Sequence, residues 1–166
     1  MESIYLIGFM GSGKTTVSKE LAQRLNMAVI DTDEEIINKA GKSINEIFAH
    51  DGEAQFRLLE SEVLYSMPSA DAVVATGGGI IISKKNRLFL KDKVNVVYLH
   101  TAFSFILERL KDDDTRPLLS KDKWKSSESL YSSRIPLYRE TAKLEIDTSG
   151  KPVSRIVDEI IQRMKK

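Results

Sequence analysis

Ile4-Tyr5-Leu6-Ile7-Gly8-Phe9-Met10-Gly11-Ser12-Gly13-Lys14-Thr15 decides the reading of this chain, because an apolar run passes straight into a glycine-rich loop that ends on a lysine and a threonine. From Gly8 onward the stretch fits G-x-x-x-x-G-K-[ST] at every fixed position. The flanks give the match its weight. Ile4 to Ile7 reads as a buried strand, and Thr15 to Leu25 places Val17, Leu21 and Leu25 at helical spacing. Strand, loop and helix together form the unit that holds a nucleotide's phosphates. Gly11, Ser12 and Gly13 turn main-chain N–H groups toward phosphate oxygens, and the following helix adds the positive end of its dipole. Lys14 brings a point charge to the β- and γ-phosphates, the Thr15 hydroxyl suits a Mg²⁺ ion, and Thr16 suits the α- or β-phosphate. The bland alternative is a glycine-rich turn with a surface lysine.

Outward from this loop the same alternation continues. Ala28 to Ile30, Ala72 to Ala75, Val94 to Leu99 and Leu144 to Ile146 are short runs rich in β-branched residues, so five strands are predicted. They are near-continuously apolar, as in a parallel sheet covered on both faces. Helical patterns follow at Ala102 to Leu110 and at Val153 to Met164, the latter with Ile156, Val157, Ile160, Ile161 and Met164 on one stripe. The expected fold class is α/β: a three-layer α/β/α sandwich around a five-stranded parallel sheet. Two segments break the alternation. Residues 33–67 hold two or three successive helices punctuated by Gly41 and Gly52, an insertion large enough for a substrate lobe. Residues 111–127 are polar and charged, carry Arg116 and Pro117, and read as a lid.

The chain has 166 residues, 42% hydrophobic and 30% charged, which fits a single globular domain spanning 1–166. Its 25 Lys and Arg balance 24 Asp and Glu, so no overall field recruits nucleic acid or an anionic membrane. Any anion must bind at a local site. The lack of cysteine excludes disulfides, thiolate metal sites and a thiol nucleophile, and suits a reducing cytoplasm. No stretch approaches the roughly 20 apolar residues of a membrane-spanning helix. A soluble cytoplasmic monomer acting on small molecules is expected.

Asp31 and Asp33 lie just past the second strand, at the sheet edge where ligands of such folds bind. Strand alternation predicts that they share a side, with Asp31 toward a water-bound Mg²⁺ and Asp33 toward an acceptor hydroxyl. Asp33 with Glu34 and Glu35 equally suits an N-cap and an acidic first helical turn. Arg57 and Glu60 stand three apart on one helical face, the spacing of an ordinary salt bridge. Arg134 precedes a proline-interrupted helical run, and two guanidiniums can clamp a carboxylate. Gly77, Gly78 and Gly79 follow the third strand at the same edge and suggest close approach to a ligand, or simply a hinge. His50 and His100 have no partners at metal spacing and read as ordinary polar residues.

Taken together, the phosphate loop, Asp31-Thr32-Asp33, Gly52-Glu53 with Phe56-Arg57 and Glu60, Thr76-Gly77-Gly78-Gly79, Arg116-Pro117-Leu118-Leu119 and Arg134 with Pro136-Leu137-Tyr138 resemble the shikimate kinase family, block by block and in family order. The resemblance implies the P-loop NTPase fold of the nucleoside monophosphate kinase type. It also implies transfer of the ATP γ-phosphoryl group to the 3-hydroxyl of shikimate, on the route to chorismate and the aromatic amino acids. It assigns Asp33 to the acceptor's ring hydroxyls, Arg57 and Arg134 to its carboxylate, and Gly78 and Gly79 to acceptor contacts. Lys14, Asp33 and Arg116 become the catalytic set, with Arg116 reaching the phosphates from the lid. Arg109 and Lys151 fall near the adenine, and Thr15 with Asp31 serve the metal. Two alternatives stay open: a kinase of gluconate or of a nucleoside monophosphate on the same scaffold, and an ATP-binding module without activity. Trp124, the only tryptophan, lies in or beside the lid. Saturating ATP and shikimate should therefore change its emission; an unchanged spectrum would argue against movement near it.

Overall fold

The computed structural model describes residues 1–110 and 124–165. Five strands, β1 (Ile4–Ile7), β2 (Ala28–Asp31), β3 (Ala72–Ala75), β4 (Asn95–His100) and β5 (Leu144–Asp147), form one sheet in the order β2-β3-β1-β4-β5. Every pairing is parallel. The expected α/β/α sandwich is what the chain forms, with strand ends shifted by about a residue at β2, β4 and β5.

Alternation along the strands divides the core. Ile4 and Leu6 of β1, Val73 of β3, and Val97 and Leu99 of β4 pack with Val17, Leu21, Ile156, Val157 and Ile160 on one face. These last belong to helices α1 (Lys14–Leu25) and α8 (Val153–Met164). Tyr5, Ile7, Val74, Val96 and Tyr98 point to the other face. There they meet Leu64 of α4 (Glu53–Tyr65), Leu90 of α5 (Lys84–Lys91), Ile106 of α6 (Phe103–Leu110), and Tyr131 and Tyr138 of α7 (Trp124–Thr141). β1 is buried at all four positions because it lies in the middle of the sheet. β2 departs from the expectation of a strand covered on both faces. It is an edge strand, with Ala28 and Val29 exposed.

Between β2 and β3 the chain forms α2 (Thr32–Ala40), α3 (Ile44–His50) and α4 in succession. Each boundary has a local cause. Asp31 caps α2 by accepting from the backbone N–H groups of Asp33 and Glu34, so the cap is Asp31 and not Asp33. Gly41 closes α2 in the left-handed conformation at φ 71°, and Ser43 with Glu46 forms a capping box on α3. Ile36, Ile47, Phe56 and Val63 give the three helices a small core of their own. α5 and a single 3₁₀ turn at Ile80–Ile82 carry the chain from β3 toward β4, and neither was expected from the sequence. Pro136 lies inside α7, and the helix continues through it to Thr141. No helix among the described residues is long and apolar enough to cross a membrane.

Candidate active site

The loops leaving the carboxyl ends of β1, β2 and β3 converge at one edge of the sheet, as expected where strand order reverses about a central strand. Between them opens a cleft of about 440 Å³ lined by Gly11, Ser12, Gly13, Lys14, Thr15, Thr16, Asp31, Asp33 and Gly78 on one side and by Arg109 and Lys151 on the other. A smaller pocket of about 50 Å³ adjoins it, lined by Arg57, Glu60, Gly79, Ile44, Phe48 and Phe56. Met10, Asp33, Gly77 and Gly78 belong to both linings. Apart from Arg134 and Arg116, the sequence-predicted residues thus fall into two adjoining compartments with Asp33 at the junction.

In the larger compartment the Lys14 ammonium is buried and donates to the carbonyls of Gly8 at 2.6 Å and Phe9 at 3.0 Å. Arg109 reaches across from α6 and donates to the Gly11 carbonyl at 2.8 Å. Lys151 pairs with Glu159 at 3.0 Å while lining the same cleft. The Thr15 hydroxyl donates to one carboxylate oxygen of Asp31 at 3.1 Å. The other Asp31 oxygen accepts from the Asp33 N–H at 2.9 Å. A hydroxyl and a carboxylate oxygen brought together at the end of the phosphate loop suit a hard cation that keeps several waters. Asp31 and Asp33 do not share a side through strand alternation: β2 ends at Asp31, and a helical turn carries Asp33 to the junction.

The smaller compartment is built on a charged cluster. Arg57 donates to Glu60 at 2.9 Å, and the Glu60 residue is only 1% exposed. Burial pushes the Glu60 carboxyl up to about 7; Arg57 opposes the shift, Asp33 adds to it, and Arg134 opposes it. Glycines let the cluster sit close to the loop after β3, where a side chain would have to displace it. A Cβ at Gly77 would stand 2.8 Å from an Asp33 carboxylate oxygen and 3.0 Å from Glu60, and one at Gly79 would stand 2.7 Å from Nη2 of Arg57. Glu60 is the site residue to which sequence reasoning gave no role beyond an ordinary salt bridge, whereas Gly77 was grouped with its neighbours as a point of close approach. The i, i+3 pairing of Glu60 with Arg57 was visible, but its burial was not.

Arg134 lines neither compartment, yet it sits behind the smaller one, 3% exposed, over the Phe9 ring at 5.5 Å. Desolvation lowers the pKa of its guanidinium, and Arg57 and Glu60 are close enough to act on it electrostatically. Its Nε and Nη1 are buried without a hydrogen-bond partner among the described residues. Buried donors of that kind fit an anionic ligand. Arg116 and most of the 111–127 segment lie outside the described residues. Trp124 opens α7. His50 ends α3, and His100 ends β4 with Nδ1 2.9 Å from the Tyr98 hydroxyl. Among the described residues no group of three or more His, Cys, Asp or Glu could hold a metal ion.

A phosphate loop at the central strand of a parallel sheet, opening beside a small pocket that holds Arg57, Glu60 and Asp33, defines the class: a P-loop NTPase fold with a second compartment beside the phosphate-loop cleft. The shikimate kinase family model matches residues 10–165. A shikimate kinase of Bacillus anthracis is 43% identical over 164 residues, covering 99% of both chains. The structure of shikimate kinase from Acinetobacter baumannii in complex with shikimate superposes with a TM-score of 0.95 at 40% identity, over 99% of this chain and 93% of that one. The chain belongs to the shikimate kinase family. A gluconokinase of Sinorhizobium meliloti, at 18% identity and a TM-score of 0.59, shares the fold alone.

The Glu60 environment gives a stability signature. The folded chain keeps this proton to about pH 7, whereas an ordinary glutamate releases it near 4.5, so stability falls as pH rises through that window. The loss is on the order of a few kcal/mol, since each unit is worth about 1.4 kcal/mol. Glu60→Gln removes it. Thermal midpoints of the two chains between pH 4.5 and 8 should converge or cross as pH rises; a constant offset would show that Glu60 does not titrate there.

Proposed function

We propose that this chain transfers the γ-phosphoryl group of ATP to the 3-hydroxyl of shikimate, giving shikimate 3-phosphate and ADP. One observation carries the reading: the phosphate-loop cleft opens onto a pocket holding Asp33 and Arg57, with Arg134 buried behind it. Family membership and the similarity to a shikimate-bound kinase support the choice of acceptor. α2, α3 and α4 act as the acceptor lobe, residues 111–127 as the lid, and 1–166 as a single kinase domain. The pathway is that of chorismate and the aromatic amino acids. The balanced charge supports small-molecule substrates, with neither nucleic acid nor membrane as a partner, for a cytoplasmic monomer.

Each residue has a physical task. The main chain of Gly11, Ser12 and Gly13, with Lys14 and Thr16, holds the triphosphate, while Arg109 and Lys151 flank the nucleotide at the far wall. Arg57 and Arg134 hold the acceptor carboxylate, and Gly78 and Gly79 leave room for its ring. Asp33 accepts a hydrogen bond from the 3-hydroxyl and aligns its oxygen with the γ-phosphorus. As that oxygen bonds to phosphorus, the bond to the β,γ-bridging oxygen breaks, ADP leaves, and the hydroxyl proton passes toward Asp33. Lys14 and Arg116 offset the charge on the transferring group. Thr15 and Asp31 are the residues that would hold Mg²⁺, which when bound neutralises charge on the β- and γ-phosphates.

Incubation with MgATP and shikimate, followed by detection of ADP and shikimate 3-phosphate, tests the whole reading; no product, or faster phosphorylation of gluconate, would overturn it. Asp33→Asn should lose most turnover, on the order of 10²-fold or more, while ATP binding by calorimetry persists. Near-normal turnover would remove Asp33 from the chemistry. Arg57→Ala should raise the shikimate KM by about 10- to 100-fold through loss of a charge-assisted contact, and an unchanged KM would refute the clamp.

A further inference from the structure

α7 buries Ser127, Tyr131, Arg134, Tyr138 and Thr141, spaced 4, 3, 4 and 3 along one side of the helix. A helix that turns hydroxyls, a guanidinium and phenols into the core needs each of them partnered. Tyr138 is 1% exposed. Its hydroxyl donates to the carbonyl of Gly78, 60 residues away in sequence, at 2.5 Å. The Arg134 guanidinium, one helical turn back, is close enough to act electrostatically on the phenol. Behind it the ring stacks on Tyr98, with centroids 4.9 Å apart and planes 19° apart. On its other side Gly78 is backed by the phosphate loop, where a Cβ would stand 3.1 Å from the Met10 nitrogen. The phenol is therefore fixed at its ring and at its hydroxyl, tying a loop carbonyl from a distant part of the chain to α7 beside Arg134.

We propose that Tyr138 is a positioning residue of the acceptor site, its hydroxyl holding the Gly78 loop against α7 beside Arg134 so that acceptor binding depends on it and nucleotide binding does not. This rests on the reading above that Gly78 and Arg134 contact the acceptor. A phenylalanine would fill the same volume and keep the stack. What it would lose is the directional bond, leaving the Gly78 carbonyl without its donor. Burial raises the Tyr138 pKa, so the phenol stays a donor throughout the working pH range. Facing the larger cleft, the Thr15 hydroxyl bonds to Asp31 and Arg109 bonds to the Gly11 carbonyl.

Steady-state kinetics of Tyr138→Phe should show the shikimate KM raised about tenfold, or about 1.4 kcal/mol, with the ATP KM changed by less than about twofold. A shikimate KM within about twofold of the unsubstituted chain, or equal rises in both KM values, overturns the proposal. Tyr98→Phe keeps the stack and removes a different buried hydroxyl, the one paired with His100. Its shikimate KM should stay unchanged, and a rise matching that of Tyr138→Phe would mark the effect as general loosening of the core and sink the idea. Arg134→Lys separates the two layers of the argument. If it raises the shikimate KM while Tyr138→Phe does not, positioning by Tyr138 fails alone; if Arg134→Lys is itself without effect, the acceptor-site reading fails and takes the proposal with it. Should Tyr138→Phe not fold, 3-fluorotyrosine placed at position 138 gives a second readout. Its ¹⁹F resonance should shift more on adding shikimate than on adding ATP, and equal shifts would overturn the proposal.

Discussion

The bare backbone at Gly77 and Gly79 lets charged side chains close in on the loop after β3, and the arrangement of the smaller compartment depends on that close approach. With no Cβ in the way, Asp33, Glu60 and Arg57 close onto the loop after β3 from two different helices. A methyl group at either position would push a carboxylate or a guanidinium aside by sterics alone. The charged cluster in turn explains why Glu60 is retained in a place that favours its neutral form. An arginine aimed into a pocket needs a fixed anchor, and a buried carboxylate 2.9 Å away supplies one.

The sheet and the cluster answer to different forces. The sheet is held by burial: the strands of its centre are apolar on both faces, and their order brings three loops to one edge. The cluster is held by hydrogen bonds and charge in a region where each unpaired polar atom is costly. The first layer sets where the loops emerge, and the second sets where the side chains on them point. Lys14 shows both at work, its stem buried with the loop and its ammonium directed by the Gly8 and Phe9 carbonyls.

Most of the framework was legible from residues 4–15 outward, because apolar strands and helical stripes are local patterns that tertiary contacts here reinforce. α7 was harder to read. Its buried side carries Ser127, Tyr131, Arg134, Tyr138 and Thr141, which look like a solvated face until the partners from β4 and the Gly78 loop are in place. α5 was missed for a related reason: its Lys84, Lys85, Arg87 and Lys91 swamp the short apolar set of Leu88, Phe89 and Leu90. The resemblance supplied roles for Arg57 and Arg134 that spacing alone could not, since 77 residues separate them (134 − 57) and only the fold brings their fields together. Asp31 and Asp33 do face one cleft at the sheet edge, but a helical turn starting at Thr32, not strand alternation, puts Asp33 there.

The two oxygens of Asp31 serve different masters. One ends the backbone of α2, the first helix of the inserted lobe, while the other meets Thr15 beside the phosphate loop. One carboxylate thus fixes both where the inserted lobe begins and the oxygen beside Thr15, so replacing Asp31 would disturb the start of α2 and the end of the phosphate loop together.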